Sequence, residues 1–169
     1  MEKVWLGIGS NLGESETLIR EAAALLSAFI EDLQLSGLWR SKARYVENQP
    51  DFLNAAACGA TKLNPRELLA AVNEIETALG RDRSAVVAKG ARTMDIDILL
   101  YGAAIIAESD LIIPHPGMRE RKFVLLPLVE IDPDIADPVS GRPFREFLAE
   151  LPPQGIYPAL SSRYDSVYP

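Results

Sequence analysis

Two carboxylates stand two residues apart in the stretch Arg92-Thr93-Met94-Asp95-Ile96-Asp97-Ile98-Leu99-Leu100-Tyr101. Met94, Ile96, Ile98 and Leu100 alternate with Asp95, Asp97, Leu99 and Tyr101, the two-residue period of a strand. The aliphatic face would cover a core. The other would begin with two carboxylates about 7 Å apart, at roughly 3.3 Å per residue. Like charges so placed need something positive between or above them: a metal ion, an arginine or a metal–polyphosphate complex. Arg81, Arg83, Lys89 and Arg92, with the single anion Asp82, precede the carboxylates, and Arg119, Arg121 and Lys122, with Glu120, follow them. Carboxylates flanked by basic segments suit magnesium bridging to a polyphosphate, because magnesium keeps few protein ligands and shares the rest with phosphate and water. Arginines would neutralise charge growing on a transferred group.

Spacing alone leaves plainer readings open. Arg92 could pair with Asp95 or Asp97 as a structural ion pair, and the arginine segment could be a solvated surface. His115, the only histidine, lies between Pro114 and Pro116 and could be a structural hydrogen-bonder. Zinc would need nitrogen or sulfur ligands that the chain does not supply, and serine-based catalysis would have only this histidine as base.

The elements that must hold these residues follow from periodicity. Val4–Ile8 reads as a strand running into Gly7-Ile8-Gly9-Ser10-Asn11-Leu12-Gly13, whose glycine spacing fits neither the dinucleotide fingerprint nor a P-loop. It suits close backbone packing or the rim of a site. Residues 14–30 read as a helix with Leu18, Ala22, Leu25, Leu26 and Phe29 on its core face, and residues 33–39 as a second strand. Ser41–Pro50 reads as a long polar loop, and Phe52–Thr61 as a third strand. Asn64-Pro65-Arg66-Glu67 opens a second helix, with Leu68, Val72, Ile75 and Leu79 inward and Leu69, Asn73 and Glu76 on a neighbouring stripe. Arg81–Ala91 is a basic loop before the carboxylate strand. The order strand, helix, strand, strand, helix, strand is the split β-α-β, ferredoxin-like unit: an α+β antiparallel sheet with both helices on one face. Beyond it come a strand-like 103–107, an extended 111–113, a helix over 124–130 and a short helix over 144–151. An irregular tail is expected from Pro152, within a single domain spanning 1–169.

The chain has 169 residues with 17 basic and 24 acidic side chains, a net charge of −7, which argues against broad binding to nucleic acid or an anionic membrane. A ferredoxin-like RNA-binding domain would need aromatics and basic residues on its central strands, where this chain has Asp95 and Asp97. The single Cys58, in an apolar run, permits no internal disulfide and reads as a buried small hydrophobe. The N-terminus lacks the pattern of a signal peptide, and no apolar run approaches the roughly 20 residues of a membrane span. A cytoplasmic protein is expected.

Four segments stand in this order along the chain: Ile8-Gly9-Ser10-Asn11-Leu12-Gly13, Gln49-Pro50-Asp51-Phe52-Leu53-Asn54-Ala55, Gly90-Ala91-Arg92-Thr93-Met94-Asp95-Ile96-Asp97-Ile98-Leu99, and Pro114-His115-Pro116 through Arg121-Lys122-Phe123-Val124-Leu125. In this set and order the chain resembles the 6-hydroxymethyl-7,8-dihydropterin pyrophosphokinases of folate biosynthesis. The resemblance implies a ferredoxin-like fold and transfer of pyrophosphate from ATP to the pterin hydroxymethyl group, releasing AMP. It also implies that Asp95 and Asp97 hold two magnesium ions, with Arg81 and Arg92 acting beside them. By the same likeness Leu69, Asn73, Glu76, Arg83, Ile98, His115 and Arg121 contact ATP, and Ser41, Lys42, Tyr45, Phe52, Asn54 and Phe123 form the pterin site. The loops 41–50 and 81–91 would close over both substrates. A monomer is expected, with a catalytically weak nucleotide- or pterin-binding module as the alternative. The chain departs from the family pattern at Lys89 and Ala91, where tryptophan and proline are common. It departs again at Asp110 and Ile112, in place of polar or basic residues, and at Gly117, in place of a frequent arginine.

Overall fold

The computed structural model describes residues 1–42, 50–80 and 93–159. Its elements are β1 (Glu2–Ser10), α1 (Ser15–Leu26), β2 (Ile30–Leu35), β3 (Trp39–Ser41), β4 (Phe52–Thr61), α2 (Pro65–Ala78), β5 (Asp95–Tyr101), β6 (Ile106–Ala107), β7 (Ile112–Ile113), α3 (Lys122–Ile131), α4 (Phe144–Glu150) and β8 (Ile156–Pro158). A 3-10 turn, Met118–Glu120, precedes α3. The main sheet runs β5-β1-β4-β3-β8, with β2 also on β4, and all its pairings are antiparallel. This is the expected ferredoxin-like arrangement.

Alternation along the strands divides the core into two layers. Val4, Leu6, Ile8, Ala55, Ala57, Ile96 and Ile98 pack beneath α1 and α2, against Ile19, Leu26, Leu68 and Val72. Trp5, Ala56, Cys58, Leu99 and Leu100 face the other way and are covered by Val124, Leu125 and Leu128 of α3 and Phe144 of α4. The added helices thus make a third layer, but only over part of that second face.

Helix α2 starts where its sequence says it should. Asn64 Oδ1 accepts from the N–H groups of Arg66 and Glu67, both at 3.0 Å, and Glu67 Oε2 accepts from Asn64 N–H at 2.8 Å. With Pro65 in the first turn this is a closed capping box.

Several expectations are corrected. The first helix stops at Leu26 rather than residue 30, and Ile30 is already a strand residue, fully buried against the sheet. The single strand expected over 33–39 is two, β2 and β3, sharing β4 as partner. Where β2 bulges between Glu31 and Gln34, it presses onto Gly59: a Cβ there would lie 2.5 Å from Ile30 Cγ2 and 2.6 Å from the Glu31 carbonyl. Only glycine fits that approach. The strand expected over 103–107 shrinks to Ile106–Ala107, paired with β7. The tail is not irregular throughout, because β8 pairs with β3 as an added edge strand.

The alternation in β5 also breaks. Trp5 pairs with Leu100 but Leu6 with Ile98, so Leu99 is the extra residue of a β-bulge. Beyond it the faces exchange: Leu100 turns to the second layer, and Tyr101 joins the first.

Candidate functional site

Asp95 and Asp97 project from the second face of the sheet, alternating with buried Ile96 and Ile98. Their partners on β1 are glycines: Asp95 stands opposite Gly9, and Asp97 opposite Gly7. On the far side of Gly9 stands Asn54, and beyond Asn54 stands Trp39. Asp95 and Asn54 are therefore separated by Gly9, which presents no side chain, whereas Gly7, between Asp97 and Ala56, is covered by the Leu99 side chain, which a Cβ there would meet at 3.4 Å. A Cβ built on Gly9 would have Asn54 Oδ1 as its nearest neighbour, at 3.8 Å. The result is an open trough, acidic on one side and amide-lined on the other. The sequence reading offered close backbone packing or the rim of a site for this glycine stretch; Gly7 is closely packed beneath Leu99, and Gly9 floors the trough. The signal was available, since glycines two apart in a strand share a face.

The Asn54 amide is held by its neighbours. Its Nδ2 donates to Ser41 Oγ at 2.9 Å and to the Trp39 carbonyl at 3.1 Å, both on β3. That orientation commits the NH₂ group to the protein and turns Oδ1 toward the Gly9 trough, as a hydrogen-bond acceptor. Ser41 is buried and Lys42 exposed at the end of β3, and Phe52 is half-buried two residues from Asn54 on the same side of β4. Trp39 is fixed in turn: Glu130 of α3 accepts from Trp39 Nε1 and from Gly37 N–H, both at 2.8 Å. Nothing in the sequence period singled out Trp39 or Glu130 for this.

The trough is bounded at the β5 end by basic and imidazole groups. His115 Nε2 lies 3.7 Å from Asp97 Oδ1, and His115 N–H donates to the Leu99 carbonyl at 3.0 Å. The peptide bond joining Ile113 to Pro114 is cis, and the chain turns there toward β5. Burial, then the positive Arg121, holds the His115 imidazole below its ordinary value, with Asp95 pulling the other way. The buried His115 Nδ1 has no hydrogen-bond partner among the described residues. Arg121 caps the start of α3, and its guanidinium carbon lies 5.9 Å from the centre of the Phe123 ring. Gly117 has φ +75°, and a Cβ there would meet the Arg121 guanidinium at 3.4 Å. The missing arginine at 117 is thus matched by a backbone that favours glycine and by Arg121 occupying the neighbouring space.

The stripe of Leu69, Asn73 and Glu76 lies on α2, beneath the first face and next to β5. Glu76 is 1% exposed, and its Oε1 accepts from Ile96 N–H at 2.7 Å. That N–H points away from β1, so Glu76 sits at the outer edge of the sheet. By the alternation of strand hydrogen bonding, the main chain of Ile98 faces the same edge. Leu69 and Asn73 are half-buried, and the Ile98 side chain is buried in the first layer. The structure therefore groups Asp95, Asp97, His115, Arg121, Phe123, Asn54, Ser41 and Phe52 on one face. It sets Leu69, Asn73, Glu76 and Ile98 around the β5 edge from them. Tyr45, Arg81, Arg83 and Arg92, with most of both expected closing loops, lie outside the described residues.

The carboxylates fit magnesium by donor type. Both offer hard oxygens, Asp97 is 42% exposed at its side chain, and Gly9, facing Asp95, leaves space for water or phosphate oxygens. Among the described residues no cluster of three or more His, Cys, Asp or Glu could hold a metal, so no all-protein cage is formed there. Among those residues, too, no helix is long and apolar enough to cross a membrane.

Known proteins resemble this chain in sequence and in fold. The family model for 7,8-dihydro-6-hydroxymethylpterin-pyrophosphokinase (HPPK) matches residues 5–133. The 2-amino-4-hydroxy-6-hydroxymethyldihydropteridine pyrophosphokinase of Aquifex aeolicus is 39% identical over 89% of this chain and 92% of its own. The protein of that name from Methylorubrum extorquens is 40% identical over 92% and 98%. The folic acid synthesis protein fol1 of Pneumocystis carinii is 40% identical over 96% of this chain, which spans 22% of that longer protein. The crystal structure of Plasmodium falciparum HPPK-DHPS shares the fold at a TM-score of 0.67 and 16% identity, covering 89% of this chain and 43% of that one. With three quarters of its length matched by the family model and relatives aligned nearly end to end, the chain belongs to the 7,8-dihydro-6-hydroxymethylpterin-pyrophosphokinase family.

Proposed function

We propose that this chain transfers the pyrophosphoryl group of ATP to 6-hydroxymethyl-7,8-dihydropterin. The pterin hydroxymethyl oxygen bonds to the β-phosphorus, the bond from that phosphorus to the α–β bridging oxygen breaks, the alcohol proton is lost, and AMP leaves. The observation that carries this reading is the trough in which Asp95 faces Asn54 across side-chain-free Gly9, with Asp97 next to Asp95 on the same face. A flat heterocycle can lie over such a floor, with its edge presented to Asn54 Oδ1 and its faces to the Phe123 and Phe52 rings. Ser41 and Lys42, with Tyr45 outside the described residues, complete that pocket in this reading.

Magnesium, two ions in this reading, would be held by Asp95 and Asp97. When bound it supplies charge neutralisation on the polyphosphate. His115 borders Asp97, and Arg121 lies near enough to His115 to act on it electrostatically. The guanidinium supplies a cation for phosphate oxygens, and the His115 ring can donate to one. Arg81, Arg83 and Arg92 are assigned to the same polyphosphate from the resemblance. Leu69, Asn73 and the outward main chain of Ile98 are assigned to the adenosine end. Glu76 acts there by holding Ile96, and with it the edge of β5. A monomer working in the cytoplasm completes the reading.

The test is AMP formation from ATP, magnesium and the pterin alcohol, resolved by chromatography. Stoichiometric AMP and pterin diphosphate support it. Binding of either substrate without AMP would point to the regulatory module instead.

A further inference from the structure

The family match ends at residue 133, yet residues beyond it grip both walls of the proposed pterin site. We propose that Gln154 is a positioning residue for that site. It clips the N-terminus of α3 to a C-terminal strand that also holds β3, and so fixes the gap between Phe123 and Asn54.

Gln154 Oε1 accepts from Lys122 N–H at 3.0 Å, and its Nε2 donates to the Glu120 carbonyl at 2.9 Å. These two groups lie on either side of Arg121 and directly before Phe123. An amide satisfied at both ends cannot turn without losing two hydrogen bonds at once. Gly155, at φ +66°, then turns the chain into β8. There Ser41 pairs with Ile156, Arg40 with Tyr157 and Trp39 with Pro158. Ala159 N–H donates to the Leu38 carbonyl at 2.7 Å, and Tyr157 Oη donates to Asp51 Oδ2 at 3.0 Å.

The contacts on β3 fall where Asn54 is oriented. The Trp39 carbonyl and Ser41 hydroxyl that receive its amide belong to the three residues β8 pairs with. One short segment therefore fixes the aromatic wall through Gln154 and the amide wall through β8. Ligand recognition by stacking and hydrogen bonding needs its groups held to within about half an ångström, which such a double attachment supplies.

The inference rests on the pterin assignment above, so the wild-type chain is assayed first, followed by full-length Gln154→Leu and Tyr157→Phe. Each is measured for kcat, for the KM of pterin and of ATP, and for melting temperature. Gln154→Leu keeps the side chain's bulk and removes both hydrogen bonds. Its pterin KM should rise about tenfold and by more than the ATP KM, which moves only through Arg121 between the two bonds, with kcat within about threefold of wild type. Tyr157→Phe, at an exposed position that will fold, should shift pterin KM in the same direction by about twofold to threefold. A lower melting temperature with pterin KM unmoved in both variants would make the segment a structural staple and overturn the proposal, as would equal rises for the two substrates. If Gln154→Leu does not fold, Tyr157→Phe decides. A wild-type chain that forms no AMP refutes the pyrophosphokinase reading, and this one falls with it. An active wild type with unmoved variants refutes only the positioning role.

Discussion

Replacing Gly9 with alanine should separate activity from stability, because the site and the fold make opposite demands there. Gly9 is an extended strand residue, and a Cβ added to it comes no closer than 3.8 Å to any neighbour, Asn54 Oδ1. The fold therefore accepts the methyl group, and the unfolded chain loses freedom. Stabilisation of roughly 0.4–1 kcal/mol is expected, or about 1–4 °C in melting temperature for a chain of this size. The same methyl stands in the trough between Asp95 and Asn54, where the pterin is proposed to lie. Forcing a methyl group into a packed contact costs roughly 1–3 kcal/mol, so kcat/KM for the pterin should fall about 5-fold to 150-fold. Gly59→Ala is the converse control. Its Cβ would sit 2.5 Å from Ile30 Cγ2 and 2.6 Å from backbone, far from the trough, so it should lower the melting temperature and spare the activity of the folded fraction. AMP formation and thermal melts on the same preparations give both readouts. Gly9→Ala with wild-type kcat/KM would show that nothing lies over that floor, and the assignment of the trough would be wrong.

Three further outcomes are expected. Asp97→Ala should abolish magnesium-dependent AMP formation while the circular dichroism spectrum and melting temperature stay near wild type; near-wild-type turnover would sink the magnesium assignment. His115→Ala should weaken ATP binding more than pterin binding, since its Nε2 borders Asp97 rather than the Asn54 row; calorimetry showing the reverse would refute its placement. Arg119→Ala should cost about 2–3 kcal/mol in urea unfolding, below the roughly 3–5 kcal/mol of a fully buried pair. The arginine is 33% exposed, and Asp137, at 2%, keeps its contact with the Ser140 hydroxyl. Burial pushes the Asp137 carboxyl up, but Arg119, Ser140 and the Val139 N–H outweigh it and hold the group below 3.8. The unfolded chain thus takes up this proton first. The stabilisation is complete above about pH 3.8 and is lost as pH falls through the lower native value. Acid melts should show that loss in wild type and less of it in Arg119→Ala; identical acid profiles would remove the pair from the account.

What the sequence disclosed, and what it hid, divides along a physical line. The capping box at Asn64 and the alternation at the start of β5 were legible, because each depends on neighbours within a few positions; Asn54 and His115 were singled out by the family resemblance instead. The bulge at Leu99 was not. Leu99, Leu100 and Tyr101 are all compatible with a strand, and only the register against Trp5 and Leu6 shows which one is extra. The break between β2 and β3 was hidden for the same reason, since it rests on Ser36, whose hydroxyl takes the Ala56 N–H of another strand. Glu130 looks like any exposed carboxylate until Trp39 is brought to it. Ile156-Tyr157-Pro158 is too short to show a period, and its strand character comes wholly from pairing with β3. The arginines at 81, 83 and 92, legible as a basic segment, lie outside the described residues.

The position of β5 at the end of the sheet explains how one substrate can be read by groups on opposite faces. A central strand is walled on both sides by its neighbours, and a ligand on one face could not reach residues beneath the other. An edge strand removes that barrier, but it leaves a row of backbone groups open to pairing with another chain. Here two of those groups are occupied from either side: Glu76 from α2 takes the Ile96 N–H, and His115 donates to the Leu99 carbonyl. Between them lies the outward main chain of Ile98. The residues that protect the edge are thus also the ones that frame the proposed nucleotide site. Glu76 reaches the edge from the α2 side of the sheet, and His115 borders Asp97 on the other. ATP wrapped over this edge would present its adenosine toward α2 and its phosphates toward the carboxylates. Glu76→Leu tests that geometry: it strips the Ile96 N–H of its acceptor at a cost of roughly 1–3 kcal/mol and loosens the edge. ATP binding should then weaken while pterin affinity, set at Asn54 on β4, holds. Calorimetry finding both affinities reduced alike would place the adenosine elsewhere.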